Sequence, residues 1–125
     1  YPIWGNGDQE RDFTYVEDIV DGTIMAAERV FDGTPINLGT GKKYKIIETV
    51  EQIFNILRWR PKKFKFEEYM PVGPLSRALD NTRAKALLDW EPKFSLDKGL
   101  RRTIEWYKNK RVDWKDKELL LERTL

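Results

Sequence analysis

Apolar residues recur at helical spacing in three long stretches of the chain and at alternate positions in one. Between 18 and 31, Val20, Ile24, Ala27 and Val30 fall on one stripe with Phe31 alongside, which predicts a helix with Asp18 as N-cap and with Glu28 and Arg29 toward water. Asp32-Gly33-Thr34-Pro35 ends it in a turn. Ile46, Val50, Ile53 and Leu57 keep the same period and predict a second helix over 46–57, stopped ahead of Arg60-Pro61 because proline disfavours helical geometry in the residue before it. Asp80 or Asn81 caps a short helix that runs to Leu88, and Ser95 caps the last strong one, with Leu96, Leu100, Ile104 and Tyr107 as its stripe.

Strands are short by the same reading. The turn Gly5-Asn6-Gly7-Asp8 leads into a strand over 12–16, Ile36-Asn37-Leu38 reads as a buried strand, and residues 63–69 alternate charged and aromatic side chains as a strand with one wet face does. The aromatics of that last strand are expected in the core. Residues 76–79 could add one more short strand. Short strands alternating with about four helices make the expected class α/β, in the form of a small α+β domain.

Composition narrows the chemistry. With 125 residues, 40% hydrophobic and 13% aromatic, the chain is one folded domain, placed at 1–109, followed by a charged tail at 110–125. The apolar triplet Leu119-Leu120-Leu121 leaves that tail open to a helix that packs on the body or on a partner. Basic residues number 23 and acidic residues 21, so the Lys/Arg clusters at 58–65 and 98–111 do not amount to a nucleic-acid surface. Zero Cys excludes disulfides and thiolate chemistry, and zero His removes the commonest metal ligand and general base; most hydrolase and zinc-site classes go with them. No apolar run reaches the ~18 residues that span a bilayer. A soluble, cytoplasmic protein is expected, and Tyr1 is not a natural start.

Gly39-Thr40-Gly41-Lys42-Lys43 fails as a phosphate loop, because Ile36 stands where the first glycine is needed and Lys43 where Ser or Thr is needed. No three of the glycines at 5, 7, 22, 33, 39, 41, 73 and 99 have the spacing of a dinucleotide fingerprint, so no cofactor-binding residue is assigned. Arg11, at the junction of the Gly-Asn-Gly-Asp turn and its strand, is placed to offer a planar fork of donors to a phosphate; its plain alternative is an ion pair with Glu10 or Asp12.

The run Ile3-Trp4-Gly5-Asn6-Gly7-Asp8-Gln9-Glu10-Arg11-Asp12-Phe13-Thr14-Tyr15-Val16-Glu17-Asp18 resembles a segment of the extended short-chain dehydrogenase/reductases, the NAD(P)-dependent nucleotide-sugar epimerases and dehydratases. The likeness continues in order through Ile36-Asn37-Leu38-Gly39-Thr40-Gly41, Asp80-Asn81-Thr82-Arg83-Ala84-Lys85, Leu87-Leu88-Asp89-Trp90-Glu91-Pro92 and Ser95-Leu96-Asp97-Lys98-Gly99-Leu100. The resemblance implies the smaller C-terminal domain of such an enzyme, which grips a nucleotide-diphosphate sugar. It implies that Arg11 and Arg77 meet the diphosphate, Arg77 through Gly73, Arg77 and Asp80 in a G-x-x-x-R-x-x-D pattern, and that Trp4 and Gln9 line the nucleotide end. The Arg-x-Gly-Asp that many relatives carry in this loop is Met70-Pro71-Val72-Gly73 here, a departure toward GDP-sugar members. Asn37, Trp90 and Pro92 are read as structural.

The family's catalytic Tyr-x-x-x-Lys is missing, since Gly5, Ile19, Glu48, Gly73 and Arg111 stand four residues beyond the five tyrosines. No catalytic residue and no metal ligand is therefore assigned, and NAD or NADP is expected only of a complete member. The implied role is the substrate-holding part of an epimerase or dehydratase, inactive alone. The alternative is a non-catalytic remnant that self-associates, as a homo-oligomer, through the face a missing domain would cover or through the tail.

Overall fold

The computed structural model describes residues 2–122, with side chains over 2–110. In chain order the elements are β1 (Pro2–Trp4), β2 (Glu10–Arg11), α1 (Val16–Arg29), β3 (Tyr44–Lys45), α2 (Ile46–Leu57), β4 (Lys65–Glu67), α3 (Thr82–Leu88) and α4 (Leu96–Glu122). β1 and β4 pair in parallel with Ile3 opposite Phe66, and β2 and β3 pair antiparallel with Arg11 opposite Tyr44. The result is a small α+β fold, in which four helices surround two minimal ladders.

The packed centre lies where α1 meets α3. Ala84, Leu88 and Trp90 are buried there, and Met25, Ala26, Val30, Ile36 and Leu38 close over them. Trp90 donates its indole N–H to the carbonyl of Asp18 at 3.0 Å, so a buried aromatic meets its one polar need without water. A second cluster forms on α2, where Phe54 packs edge-on against Trp59 and stacks on Phe64.

The α2 helix runs over 46–57 as its periodicity predicts, with the Glu48 carboxylate accepting the Lys45 N–H at 3.4 Å. Its end comes at Arg58, which takes the left-handed conformation at φ 50°, ahead of the Arg60-Pro61 stop read from the sequence. Ser95 caps α4 as expected, its Oγ accepting the Lys98 N–H at 3.3 Å. Tyr107, however, is 58% exposed, and among the described side-chain positions of that helix the buried one is Gly99, set against the Tyr15 ring.

Three expectations for residues 12–31 fail for physical reasons. The strand over 12–16 is replaced by β2 and an irregular run, because Asp12 turns its carboxylate onto distant N–H groups and helical hydrogen bonding begins at Val16. Asp18 is therefore not an N-cap. It lies inside the first turn, 1% exposed, and its two oxygens accept the N–H groups of Lys93 (2.9 Å) and Phe94 (3.1 Å). Most of the stripe assigned to the core of α1 faces outward: Val20 and Ile24 are about half exposed, Ala27 is exposed and Phe31 is 85% exposed, and of the stripe Val30 alone packs on the core, while Asp18 and Gly22 are buried.

Ile36-Asn37-Leu38 forms no ladder among the described residues, and Ile36 and Leu38 serve instead as packing for Trp90. The strand read over 63–69 shortens to Lys65–Glu67, and of its aromatics only Phe64 is turned inward; Phe66 and Tyr69 are exposed. Residues 76–79 contribute a single parallel bridge, from Ser76 to Glu10.

Candidate diphosphate site

The site is built on the turn that precedes β2. Gly5 and Gly7 hold φ of +69° and +83°, values that L side chains rarely adopt, and Asn6 closes the turn by accepting the Asp8 N–H at 3.0 Å. The turn is fastened to the start of α2 by Ile47 N–H to Gly7 C=O (2.9 Å) and by Lys45 to Asp8 (2.9 Å). Asp8 also holds the Lys45 ammonium above the usual lysine range, through its hydrogen bond and its charge. β2 thus leaves a rigid base, and Glu10, Arg11 and Asp12 project from it toward residues 72–79.

Arg11 and Arg77 line one shallow concavity of about 190 Å³, with Asp12, Ala78 and Leu79. Their states differ. Arg11 donates Nη1 to the carbonyls of Glu10 (2.7 Å) and Pro74 (2.8 Å) and Nη2 to that of Val72 (2.5 Å). Neither ion pair considered for it, with Glu10 or with Asp12, is formed. The exposed guanidinium of Arg77 makes no hydrogen bond or ion pair among the described residues, although its backbone N–H is fixed to Glu10 C=O at 3.2 Å.

Gln9 and Trp4 stand together but apart from that concavity. Gln9 is 7% exposed and donates Nε2 to the Trp4 carbonyl at 2.9 Å; the Trp4 side chain is half exposed on β1. The Gln9 amide nitrogen is therefore committed to the chain's own backbone, and the Trp4 ring is the accessible member of the pair.

Asp12 is the organising group that sequence reasoning left as a mere partner for Arg11. It accepts the N–H and Oγ1–H of Thr40 (3.1 and 2.5 Å), the N–H of Gly41 (2.9 Å) and the N–H of Leu79 (3.3 Å). Burial pushes its pKa up, but the bonds from Thr40, Leu79 and Gly41 together outweigh that and hold it below the usual value of 3.8. One carboxylate so joins the 39–41 turn to the end of the Arg77 segment. Its partners lie 28 and 67 residues away, which no local pattern announces.

The family described as GDP-mannose 4,6 dehydratase matches residues 1–103. The chain belongs to that family. It is 38% identical to the UDP-glucuronate 4-epimerase of Thermodesulfobacterium geofontis over 85% of this chain and 32% of that protein. The UDP-glucose 4-epimerase of Thermotoga maritima, solved with UDP-glucose, superposes with a TM-score of 0.80 at 31% identity, over 87% of this chain and 35% of that one. The UDP-glucuronic acid 4-epimerase of Bacillus cereus, solved with UDP-glucuronic acid and NAD, gives 0.77 at 30% identity, over 86% and 35%. These relatives are NAD-dependent nucleotide-sugar enzymes of the extended short-chain dehydrogenase/reductase family, and the chain spans about a third of their length.

Among the described residues, no helix start is arranged to take a dinucleotide pyrophosphate. In a dinucleotide-binding fold the pyrophosphate sits at a helix N-terminus whose N–H groups are free. Glu17 and Asp18 occupy the first turn of α1, Glu48 that of α2 and Asp97 that of α4, and the Asp80 carboxylate already accepts the Thr82 N–H at the start of α3. The first N–H groups of α2 are bonded to Gln9 and Gly7 carbonyls. Among the described residues, no group of three or more Asp or Glu converges to hold a metal ion, and no helix is long and apolar enough to cross a membrane.

Proposed function

We propose that this chain is the nucleotide-sugar-holding part of an NAD(P)-dependent epimerase or dehydratase, with no catalysis of its own. The observation that carries this is the concavity shared by Arg11 and Arg77, in which the Arg77 fork has no partner among the described residues. A diphosphate is the natural guest, because a planar fork binds its oxygens in parallel pairs. In a complete enzyme the nonreacting nucleotide would supply binding energy here that sets the sugar ring against the cofactor. No Tyr-x-x-x-Lys stands in the chain to move the proton that must accompany the hydride.

Calorimetry with a UDP-sugar and a GDP-sugar tests this proposal. Binding at millimolar ligand that weakens by about tenfold or more in Arg77→Ala is the expected result, as a charge-assisted pair is lost. A folded chain that takes up neither ligand overturns the proposal.

A second reading, self-association, is favoured by the outer stripe of α1, where Val16, Val20, Ile24 and Phe31 lie exposed in a row. Such a row marks a surface that another body covers. Sedimentation across a concentration series should then show a dimer that Ile24→Glu dissolves; a strict monomer removes this reading.

A further inference from the structure

Residues 52–66 hold five of the 23 basic side chains, Arg58, Arg60, Lys62, Lys63 and Lys65, and no acidic one, which leaves 18 basic against 21 acidic residues in the rest of the chain. A chain of small net charge is thus polarised, its positive excess gathered just after α2. The same run is aromatic. Its rings are rooted on Phe54, which is 5% exposed: Phe64 stacks on it at 5.9 Å, Trp59 stands edge-on to it at 5.4 Å, and Phe66 adjoins Phe64 at 6.1 Å. The outer rings, Trp59 and Phe66, are 56% and 45% exposed. All five cations are exposed, and none of these residues lines the concavity of Arg11 and Arg77.

Arg58 gives the run its shape. As the C-cap of α2 it holds φ 50° and ψ 37°, a left-handed conformation that glycine adopts at lower cost. The turn donates the Arg58 N–H to Asn55 C=O and the Trp59 N–H to Phe54 C=O, both at 3.2 Å, and so folds the Trp59 ring back onto Phe54. Helix termination alone is served better by glycine; what arginine adds is a charge beside the rings. Arg60 pairs with Glu51, and Lys65 with Glu67 at 2.8 Å. Such exposed pairs contribute little and can be exchanged for phosphate oxygens.

We infer that the 58–66 run is an adsorption surface for an anionic phospholipid membrane, with Trp59 and Phe66 entering the headgroup layer and the cations facing lipid phosphates. Half-exposed tryptophan and phenylalanine among Lys and Arg have the make-up of a body that lies in the interface, rings inward and charge at headgroup level. A cluster of about four to eight cations beside a membrane suffices to select anionic lipid. Single-stranded nucleic acid fits less well, because it is held by ring faces laid out for successive bases. Here Trp59 meets Phe54 at 70° and Phe66 is tilted 43° from Phe64, so the rings form a ridge. This surface is independent of the nucleotide-sugar reading.

Co-sedimentation of the full chain with vesicles at low salt provides the test, phosphatidylcholine alone against phosphatidylcholine mixed with phosphatidylglycerol. The mixed vesicles alone should retain the chain, and added salt should release it, since exposed charges are screened. Arg58→Gly removes one cation and relieves the left-handed position, so its urea midpoint should not fall, while its partitioning should drop about fivefold, the worth of one cation near an anionic surface. Lys42→Gln, a cation lost ahead of α2 rather than behind it, should leave partitioning unchanged. Phe66→Ser, which keeps every charge, should weaken retention several-fold. No retention by the mixed vesicles, or equal retention by both kinds, overturns the proposal. So does an Arg58→Gly loss no larger than that of Lys42→Gln, which would put the contact elsewhere on the chain. Wild-type retention of Phe66→Ser overturns the entry of the rings. Firmer retention by single-stranded poly(U) than by the mixed vesicles, lost in Arg58→Gly, overturns the lipid assignment in favour of nucleic acid.

Discussion

The inner face of α1 carries Asp18, Gly22, Met25 and Ala26, and its outer face carries Val16, Val20 and Ile24, with Phe31 just past its end. On hydropathy alone the outer face is the better candidate for a core, yet it is the exposed one. The inner face is buried because it supplies what α3 and the 90–94 run need: a carbonyl for the Trp90 indole, a carboxylate for two backbone N–H groups, and a glycine against which Leu38 and Trp90 can close. Polar groups enter a core readily when every hydrogen bond is made. A helix with one specific face and one greasy face is suited to be covered from both sides.

Substitutions across the two faces should sharpen that contrast, with urea unfolding as the measure. Leu88→Ala, at a side chain with no exposed surface, should cost about 2–5 kcal/mol, the range for an unfilled core cavity. Gly22→Ala should also destabilise, although alanine is the better helix former by about 1 kcal/mol. Its Cβ would sit 2.7 Å from a Leu38 methyl and 2.9 Å from Trp90 Nε1, and that indole is tethered to Asp18. Overpacking of about 1–3 kcal/mol then exceeds the propensity gain. Ile24→Ala on the outer face should stay within about 0.5 kcal/mol, as surface substitutions do. Equal losses for Leu88→Ala and Ile24→Ala would mean that the outer stripe is already buried in solution.

How much of this was legible in the chain depends on how local the cause is. α2 was readable because its apolar face and its cap lie within it: Ile46, Val50, Ile53 and Leu57 are all at least half-buried, and Lys45 and Glu48 close its start. α1 was readable as a helix but not in phase, since two faces compete and periodicity chose the more apolar one. The family resemblance brought Arg11 and Arg77 to notice together, and the structure sets them around one concavity. It gave no hint that the Arg11 donors are spent on residues 61 and 63 positions away. Asp12 was missed for the same reason: its partners come from the turn after Leu38 and from beyond β4, and only the folded chain assembles them.

Asp12 also gives the comparison a pH axis. Its pKa is lowered in the folded chain relative to 3.8, against the opposing pull of burial, by bonds to Thr40, Leu79 and Gly41 that disappear on unfolding. A depressed carboxylate stabilises the fold above its unfolded pKa, and that contribution drains as pH falls through the folded value, because the unfolded chain then binds the proton more readily. The stability gap between wild type and Asp12→Asn should therefore be level from about pH 5 to 7 and narrow below about pH 4. Asp32, Asp80 and Asp97 are lowered too, but their principal partners lie within four residues, so the unfolded chain retains part of those bonds. Asp12 is the long-range one, and its variant should flatten the acid limb while the same change at Asp32 leaves it nearly as steep. An acid limb unaltered by Asp12→Asn would show that the 39–41 turn and the Arg77 segment are held together by something other than this carboxylate.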